Sequence, residues 1–166
     1  MYYYINMLEG EIMANSIEKS ISPTLLKYFN EEKLVLVSTV NAENQSPTMN
    51  AISWFIALDE ETVRFAVDQR SWIVSNIEKN SFVSCSLFAN ETIYSITGKA
   101  TILSLKLPGI PLKLACIEVK VAEVKNIMFY GSKISVEPEY EKTYDEKAAK
   151  KLDDSVLKAL RTYTID

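Results

Sequence analysis

The chain of 166 residues contains no histidine. This absence excludes Ser-His-Asp and Cys-His catalysis, zinc sites built on histidine and histidine-ligated haem. Cysteine is scarce as well: Cys85 and Cys116 are the two in the sequence, and each lies in an apolar, strand-like stretch. Their context favours buried core positions over a nucleophile, a metal ligand or a disulfide. Any chemistry must therefore come from carboxylates, lysines, tyrosines, backbone groups or a cofactor.

Basic charge and long apolar runs are also lacking. The net charge is −4, which argues against nucleic acid as the main partner. No stretch of the sequence is long and apolar enough to span a bilayer, so we predict no membrane partner. Hydrophobic residues make up 48% of the chain and charged residues 24%, which is typical of a globular protein. The length fits one domain.

The N-terminal segment has none of the features of a secretory signal peptide, and we therefore expect a cytoplasmic protein. Glu9-Gly10-Glu11 lies just before Met13, and the purine-rich codons of such a run can contain a ribosome-binding sequence. For a bacterial source, we hypothesise that translation starts at Met13 and that residues 1–12 are a disordered leader. Residues 13–166 would then form a single domain with N- and C-terminal helices.

The segment 63–80 is the most informative stretch that is present. Residues 63–67 alternate between apolar and mixed positions, which predicts a strand, and Asp68-Gln69-Arg70 predicts a turn. Ser71 is placed as the N-cap of a following helix. Backbone N–H groups, the helix dipole and a guanidinium can together form an anion pocket at such a turn. The alternative is an ordinary strand–turn–helix with a solvated arginine.

The order of predicted elements indicates a mainly β fold. Hairpin-like turns join most of the strands, and there are too few helices for a doubly wound sheet. We predict strands over 34–40, 48–58, 63–67, 82–88, 93–105 and 113–124, and helices over 22–32, 71–80 and 144–160. Ile52, Trp54 and Ile56 are expected to share one face of the second strand. A six-stranded antiparallel β-barrel with peripheral helices fits this order best.

Four short pieces of sequence occur between residues 34 and 103 in an order typical of one family. They are Leu36-Val37-Ser38-Thr39-Val40 through Ser46-Pro47, Ser53-Trp54-Phe55 through Val63-Arg64-Phe65, Arg70-Ser71 followed by Asn76-Ile77-Glu78-Lys79-Asn80, and Thr97-Gly98-Lys99-Ala100. In this order and spacing they resemble the split barrels of the pyridoxamine-phosphate-oxidase-like superfamily, which bind flavin mononucleotide (FMN). The resemblance covers somewhat less than half of the chain.

The resemblance implies a homodimer with FMN at the subunit interface. The backbone of the second strand would lie along the flavin, so that Asn50, Ala51, Ile52 and Ser53 border the isoalloxazine ring or the ribityl chain. Ala66 and Val67 would sit beside them, and Arg70, Ser71 and Trp72 would lie at the phosphate. Trp54 and Trp72 are candidates for covering the ring, with core or dimer-interface roles as the alternative.

The sequence departs from the better-known oxidases of this family at two places. Those enzymes carry Arg-Lys directly after the turn serine, where this chain has Trp72-Ile73, and an arginine on the second strand, where this chain has Ala51. Three functions therefore remain open: an FMN-dependent oxidoreductase acting on an unknown small substrate, a non-catalytic flavin-binding or stress-related dimer, and a split barrel with reduced or lost FMN affinity.

Overall fold

The computed structural model describes residues 17–164, and the predicted leader at residues 1–12 lies outside them. The strands are β1 (Ile17–Glu18), β2 (Val35–Val40), β3 (Pro47–Ile52), β4 (Phe55–Ala57), β5 (Thr62–Asp68), β6 (Phe82–Ala89), β7 (Thr92–Ser104) and β8 (Leu114–Asn126). The helices are α1 (Pro23–Leu26), α2 (Trp72–Lys79) and α3 (Glu146–Thr162), and a 3₁₀ turn, Lys27–Asn30, follows α1. Side chains of Ser22, Ser71 and Asp145 cap the three helices, as their oxygens accept backbone N–H groups of the first turns.

Seven strands form one antiparallel sheet in the order β3-β2-β6-β7-β8-β5-β4, and β1 pairs with β8 beside this path. The two end strands, β3 and β4, follow each other directly in the chain. Two residues, Ser53 and Trp54, therefore carry the chain from one end of the curled sheet to the other. The Ala66 N–H donates to the Trp54 carbonyl oxygen at 3.0 Å, which fixes this crossing on β5. The fold is thus a split barrel, as the resemblance implied.

The strand predicted over 48–58 is two strands, which is why the sheet has seven strands and not six. The Phe55 N–H donates to the Ser53 carbonyl oxygen at 3.0 Å, and this tight turn breaks the pleat. The expected common face of Ile52, Trp54 and Ile56 is wrong for the same reason. Ile52 packs toward the barrel interior, whereas Trp54 and Ile56 pack on the outside.

Apolar side chains from β2 and β4–β8 fill the barrel interior, and α1 and α2 contribute to the same cluster. Phe55 and Phe65 stack there with ring centroids 6.2 Å apart, and Phe29 packs against Phe55 at 5.4 Å. Cys85 lies in this interior, and Cys116 lies in the apolar cluster on the outer side of the sheet. Burial raises the pKa of the Cys85 thiol to about 12 and that of Cys116 to about 11, so both behave as core residues, as predicted.

The outer side of the sheet divides into two halves. On the covered face, formed by β4, β5 and β8, buried apolar side chains pack against α3; they include Ile56, Ala66, Leu114 and Cys116 from the strands and Val156, Leu157 and Leu160 from the helix. On the bare face, formed by β3, β2, β6 and β7, the outward side chains remain half or fully exposed in the described part of the chain; they include Leu36, Ser38, Met49, Ala51, Ser84, Ser86, Ser95 and Thr97.

Arg64 fastens α3 to the covered face. Its Nη1 donates to the carbonyl oxygens of Leu160 at 3.0 Å and Tyr163 at 2.8 Å, and its Nε donates to Glu118 at 2.9 Å. A cation at a helix C-terminus satisfies carbonyl groups that have no partner within the helix. The long strand β7 runs on through Gly98, with a register shift between Thr97 and Gly98 against β8.

Candidate functional site

The edge strand β3 carries three of the residues that the resemblance assigns to a flavin, Asn50, Ala51 and Ile52, and a fourth, Ser53, follows it directly. In the described part of the chain, β3 pairs with β2 alone, so one side of its backbone is uncovered. Asn50 and Ala51 are exposed, while Ile52 and Ser53 are half-buried. Alternate N–H and C=O groups of an edge strand point away from the sheet and are free to bind a ligand. This uncovered stretch, Asn50–Ser53, is called the β3 edge below.

Ala66 and Val67 lie deep in the structure. The Val67 side chain belongs to the barrel interior and the Ala66 side chain packs on the outside against the α3 cluster. Their side chains therefore make core contacts. The hydrogen bond from Ala66 N–H to the Trp54 carbonyl nevertheless holds this part of β5 beside the end of the β3 edge.

The turn after β5 holds Arg70, Ser71 and Trp72. The Arg70 side chain is 84% exposed and Trp72 is 63% exposed, whereas Ser71 is half-buried at the start of α2. Arg70 forms a two-pronged ion pair with Asp68: Nε lies 3.1 Å from Oδ1 and Nη2 lies 3.0 Å from Oδ2. The sequence placed a guanidinium here correctly, but it did not show that an acidic side chain two residues earlier binds it.

The charge of this turn is consequently balanced. The side-chain hydrogen bond from Arg70, with a further bond from the Arg70 backbone N–H, lowers the pKa of Asp68 to about 2. The same pair raises the pKa of Arg70. Both groups are therefore ionised at every physiological pH, and the turn presents one positive and one negative charge side by side.

A buried amide connects α2 to the β2–β3 hairpin. Asn76 is buried; its Nδ2 donates to Thr39 Oγ1 at 2.8 Å and to Thr48 Oγ1 at 3.3 Å, and its Oδ1 accepts the Ala42 N–H at 2.8 Å. These bonds hold the helix beside the first half of β3. The turn at Arg70 and the β3 edge are thus fixed relative to each other from both sides. The sequence contains no pattern that singles out Asn76 from other helical polar residues.

A second polar network lies beside Ser53 and Trp54. Lys142 Nζ bridges Glu32 Oε1 at 2.7 Å and Asp153 Oδ2 at 3.0 Å, and Trp54 Nε1 donates to Asp153 Oδ1 at 2.7 Å. The Trp54 indole is therefore held against α3. The network joins residues about a hundred positions apart, so local sequence patterns gave no signal for it.

The network also sets the ionisation of its members. Burial raises the pKa of Glu32, but hydrogen bonds from Lys142, Ser53 and Tyr140 outweigh it and place that pKa below its usual value. Burial and the bond to Glu32 raise the pKa of Tyr140 to about 12. Burial lowers the pKa of Lys142, but its bonds to Glu32 and Asp153 outweigh this and raise it. All three groups thus keep their charge states near neutral pH.

The two ends of the candidate site differ in how well they suit a flavin nucleotide. A ring with alternating donors and acceptors can bond to an uncovered strand, and the β3 edge offers one. A phosphate needs positive charge and free N–H groups. Arg70 is already bound by Asp68, so the ring end fits a flavin and the phosphate end does not. No metal-binding cluster occurs within residues 17–164, and no helix there is long and apolar enough to cross a membrane.

A curled antiparallel sheet whose end strands are consecutive in the chain defines a split barrel, and solved structures share it. A candidate pyridoxamine 5'-phosphate oxidase from Lactobacillus delbrueckii superposes with a TM-score of 0.57 at 15% identity, over 68% of this chain and 98% of that one. A variant of HupZ from group A Streptococcus superposes with a TM-score of 0.53 at 18% identity, over 64% of this chain and 98% of that one.

These similarities confirm that the fold is that of the pyridoxamine-phosphate-oxidase-like split barrels. No protein-family model matches the sequence, and no curated protein matches it. The identities of 15% and 18% establish a common fold and no more.

Proposed function

We propose that this chain is a homodimeric flavin-binding protein that holds FMN between its subunits and uses it as an oxidoreductase on a small substrate. The flavin ring would lie along the β3 edge, with the backbone of Ala66 and Val67 beside it and Arg70, Ser71 and Trp72 at the far end. A bound flavin supplies the redox chemistry, while the protein supplies position and electrostatics. The uncovered backbone of Asn50–Ser53 is the observation that carries the proposal.

The bare face supports the dimer. Its outward residues are not covered within the described part of the chain, and they include small side chains, such as Ser38 and Ser84, and the exposed apolar side chains of Met49 and Phe82. Exposed apolar side chains beside small ones make a surface that a second copy can cover, whereas the covered face is already occupied by α3. The β3 edge borders this bare face, so a second subunit docked there would enclose a ligand on that edge.

A non-catalytic flavin-binding protein with reduced FMN affinity is the second candidate. The Asp68–Arg70 pair favours it, because a phosphate must compete with a carboxylate for the guanidinium. The two candidates share the ring site and differ in turnover.

Flavin uptake tests the ring site. The purified protein should carry a visible flavin absorbance, or acquire it when FMN is added, and release free flavin on denaturation. Ala51→Trp puts a bulky side chain on the β3 edge and should abolish uptake. Ala148→Trp, at an exposed position on α3, is the matched control and should leave it intact. A colourless protein that takes up no flavin would refute the proposal, and uptake unchanged by Ala51→Trp would place the ligand elsewhere.

Reduction experiments separate the enzyme from the binding protein. Under anaerobic conditions, NADH or NADPH should bleach the bound flavin of an oxidoreductase, and a supplied acceptor should restore the colour over many cycles. A flavin that binds but never cycles would support the second candidate instead.

A further inference from the structure

We propose that this site does not select for the flavin phosphate: it binds riboflavin, whose ribityl chain ends in a neutral hydroxyl, at least as tightly as FMN, and Asp68 sets this preference. The inference rests on the proposed flavin site. It concerns the end of the ligand opposite the ring, where the residues of the turn after β5 do not suit the phosphate of FMN.

The first argument is charge. Arg70 and Asp68 form a bidentate pair at 3.1 and 3.0 Å, so the guanidinium that would bind a phosphate is matched by a carboxylate in the same turn. The first turn of α2 adds no second cation, because Trp72, Ile73 and Val74 follow Ser71. The positive charge of Arg70 and the negative charge of Asp68 therefore cancel in this turn. An approaching phosphate, with nearly two negative charges, would meet no net positive charge and would be repelled by the carboxylate.

The second argument is that four backbone donors of the turn, those of Gln69, Arg70, Ser71 and Ile73, are already used. Gln69 N–H donates to the Lys113 carbonyl at 3.0 Å, Arg70 N–H to Asp68 Oδ1 at 2.8 Å and Ser71 N–H to the Asp68 carbonyl at 2.8 Å. At the start of α2, Ile73 N–H donates to Ser71 Oγ at 3.2 Å. A phosphate-binding turn leaves such groups free for the anion. Here they hold the turn itself together.

The third argument is the chemistry of the acceptor. The Asp68 side chain is 51% exposed, and its low pKa keeps it ionised. A carboxylate accepts a hydrogen bond from a hydroxyl group but repels an ionised phosphate. The terminal hydroxyl of riboflavin can therefore donate to Asp68, while FMN has only acceptor oxygens at that point.

The test compares two flavins on three variants and the unmodified protein by fluorescence titration. Asp68→Asn keeps an oxygen that can cap the Arg70 N–H and removes the negative charge. Asp59→Asn is the matched control, because Asp59 Oδ1 accepts the Glu61 N–H at 2.8 Å in the same kind of turn at the other end of β5. Lys113→Met is included because Lys113 borders the turn through its carbonyl oxygen.

We expect the unmodified protein to bind riboflavin at least as tightly as FMN. Asp68→Asn should tighten FMN binding about tenfold without tightening riboflavin binding, because it removes a like charge close to the phosphate. Asp59→Asn and Lys113→Met should leave the ratio of the two dissociation constants unchanged. Added salt should tighten FMN binding to the unmodified protein slightly, because it screens the repulsion.

The possible outcomes are distinct. FMN binding tenfold or more tighter than riboflavin binding, or a selective loss of FMN affinity in Lys113→Met, would overturn the inference and leave the proposed flavin site standing. Equal tightening of both flavins by Asp68→Asn would also overturn it, since Asp68 would then act on the shape of the turn. If neither flavin binds to any form of the protein, the proposed function itself fails, and this inference fails with it.

Discussion

The covered and bare faces of the barrel bury their strands in different ways. Strand β8 has four consecutive buried residues, Leu114 to Ile117, because its outer side chains meet α3 and its inner ones meet the barrel interior. Strand β2 alternates strictly between buried and half-buried residues, because only its inner side chains meet a partner. One sheet thus carries two surfaces, one covered by its own helix and one left uncovered in the described part of the chain.

The comparison shows where stability and function reside. Side chains on the covered face are large, apolar and tied down by Arg64, so changes there should cost folding free energy. Side chains on the bare face are half or fully exposed in the described part of the chain, so changes there should cost less folding free energy and should affect what the subunit is proposed to bind. The four predictions that follow run from the largest expected effect to the smallest.

The largest effect is expected where the sheet passes from the bare half to the covered half. A Cβ atom added at Gly98 would lie 2.1 Å from the Lys120 carbonyl oxygen, so a fixed backbone group blocks it. Gly98→Ala should cost on the order of 4 kcal/mol or prevent folding, because neither strand can move without breaking the barrel. Lys99→Ala, at the exposed next position, is the control, and urea unfolding is the measurement. Equal stability of the two variants would contradict the close approach.

Truncation of one leucine on each side tests the comparison directly. Leu160 is fully buried between α3 and the covered face, and Leu36 is half-buried on the bare face. Leu160→Ala should lower the free energy of unfolding by about 2–5 kcal/mol, and Leu36→Ala should cost clearly less. Urea unfolding at low protein concentration measures both variants. A larger loss for Leu36→Ala would mean that the bare face is stabilised within the single subunit.

The polar network around Lys142 lies at the border of the two halves, and removing Lys142 should lower the free energy of unfolding by an amount that depends on pH. Lys142→Met leaves Glu32 and Asp153 without their shared cation and should cost about 2 kcal/mol near neutral pH. The pKa of Glu32 is lower in the folded protein than its ordinary value of 4.5. The ionised Glu32 therefore adds its full contribution to the free energy of unfolding above pH 4.5, and this contribution is lost as the pH falls through the folded pKa.

The loss of stability in Lys142→Met should therefore shrink below pH 4.5. Urea unfolding followed by far-ultraviolet circular dichroism at several pH values measures it. Lys150→Met, which removes an exposed lysine that pairs with Asp154, is the control. A loss that is the same at every pH would show that packing, and not the charge, is what Lys142 provides.

The smallest effect on folding is expected on the bare face itself. Ser38 lies between Met49 and Ser84 on neighbouring strands. Ser38→Glu should change the free energy of unfolding of the subunit by about 0.5 kcal/mol or less. It should dissociate the proposed dimer, since two copies would bring like charges together. Light scattering gives the mass, and Ser132→Glu, in the exposed segment before α3, is the control. A dimer that survives Ser38→Glu would move the interface to another surface.

Local patterns predicted most of the fold. The strands predicted over 34–40 and 82–88, the start of the helix predicted from residue 22 and the Ser71 cap are each decided by neighbouring residues, and each is confirmed. The break at Ser53-Trp54 escaped prediction because no turn residue marks the tight turn there, and the hydrogen bond that fixes it on β5 joins distant segments. A run of apolar residues continues through it, and a continuous strand was the simplest interpretation.

The candidate site could be predicted only in part, for a related reason. Order and spacing located the β3 edge and the turn at Arg70. The Asp68 contact is local, but the sequence does not show whether a neighbouring acid folds onto the guanidinium or toward solvent. The contacts of Asn76 and Lys142 join distant segments, and a single sequence carries no pattern for them.

The uncovered β3 edge also has a consequence for the handling of this protein. Free edges of sheets invite pairing with other chains, and proteins protect them with proline or by keeping them short. Strand β4 has three residues and β3 begins at Pro47, so both edge strands carry a feature that hinders pairing with another chain. The stretch from Asn50 to Ser53 has neither feature. The stretch proposed to bind a flavin is thus also open to pairing with other chains, and loss of a bound flavin would favour aggregation.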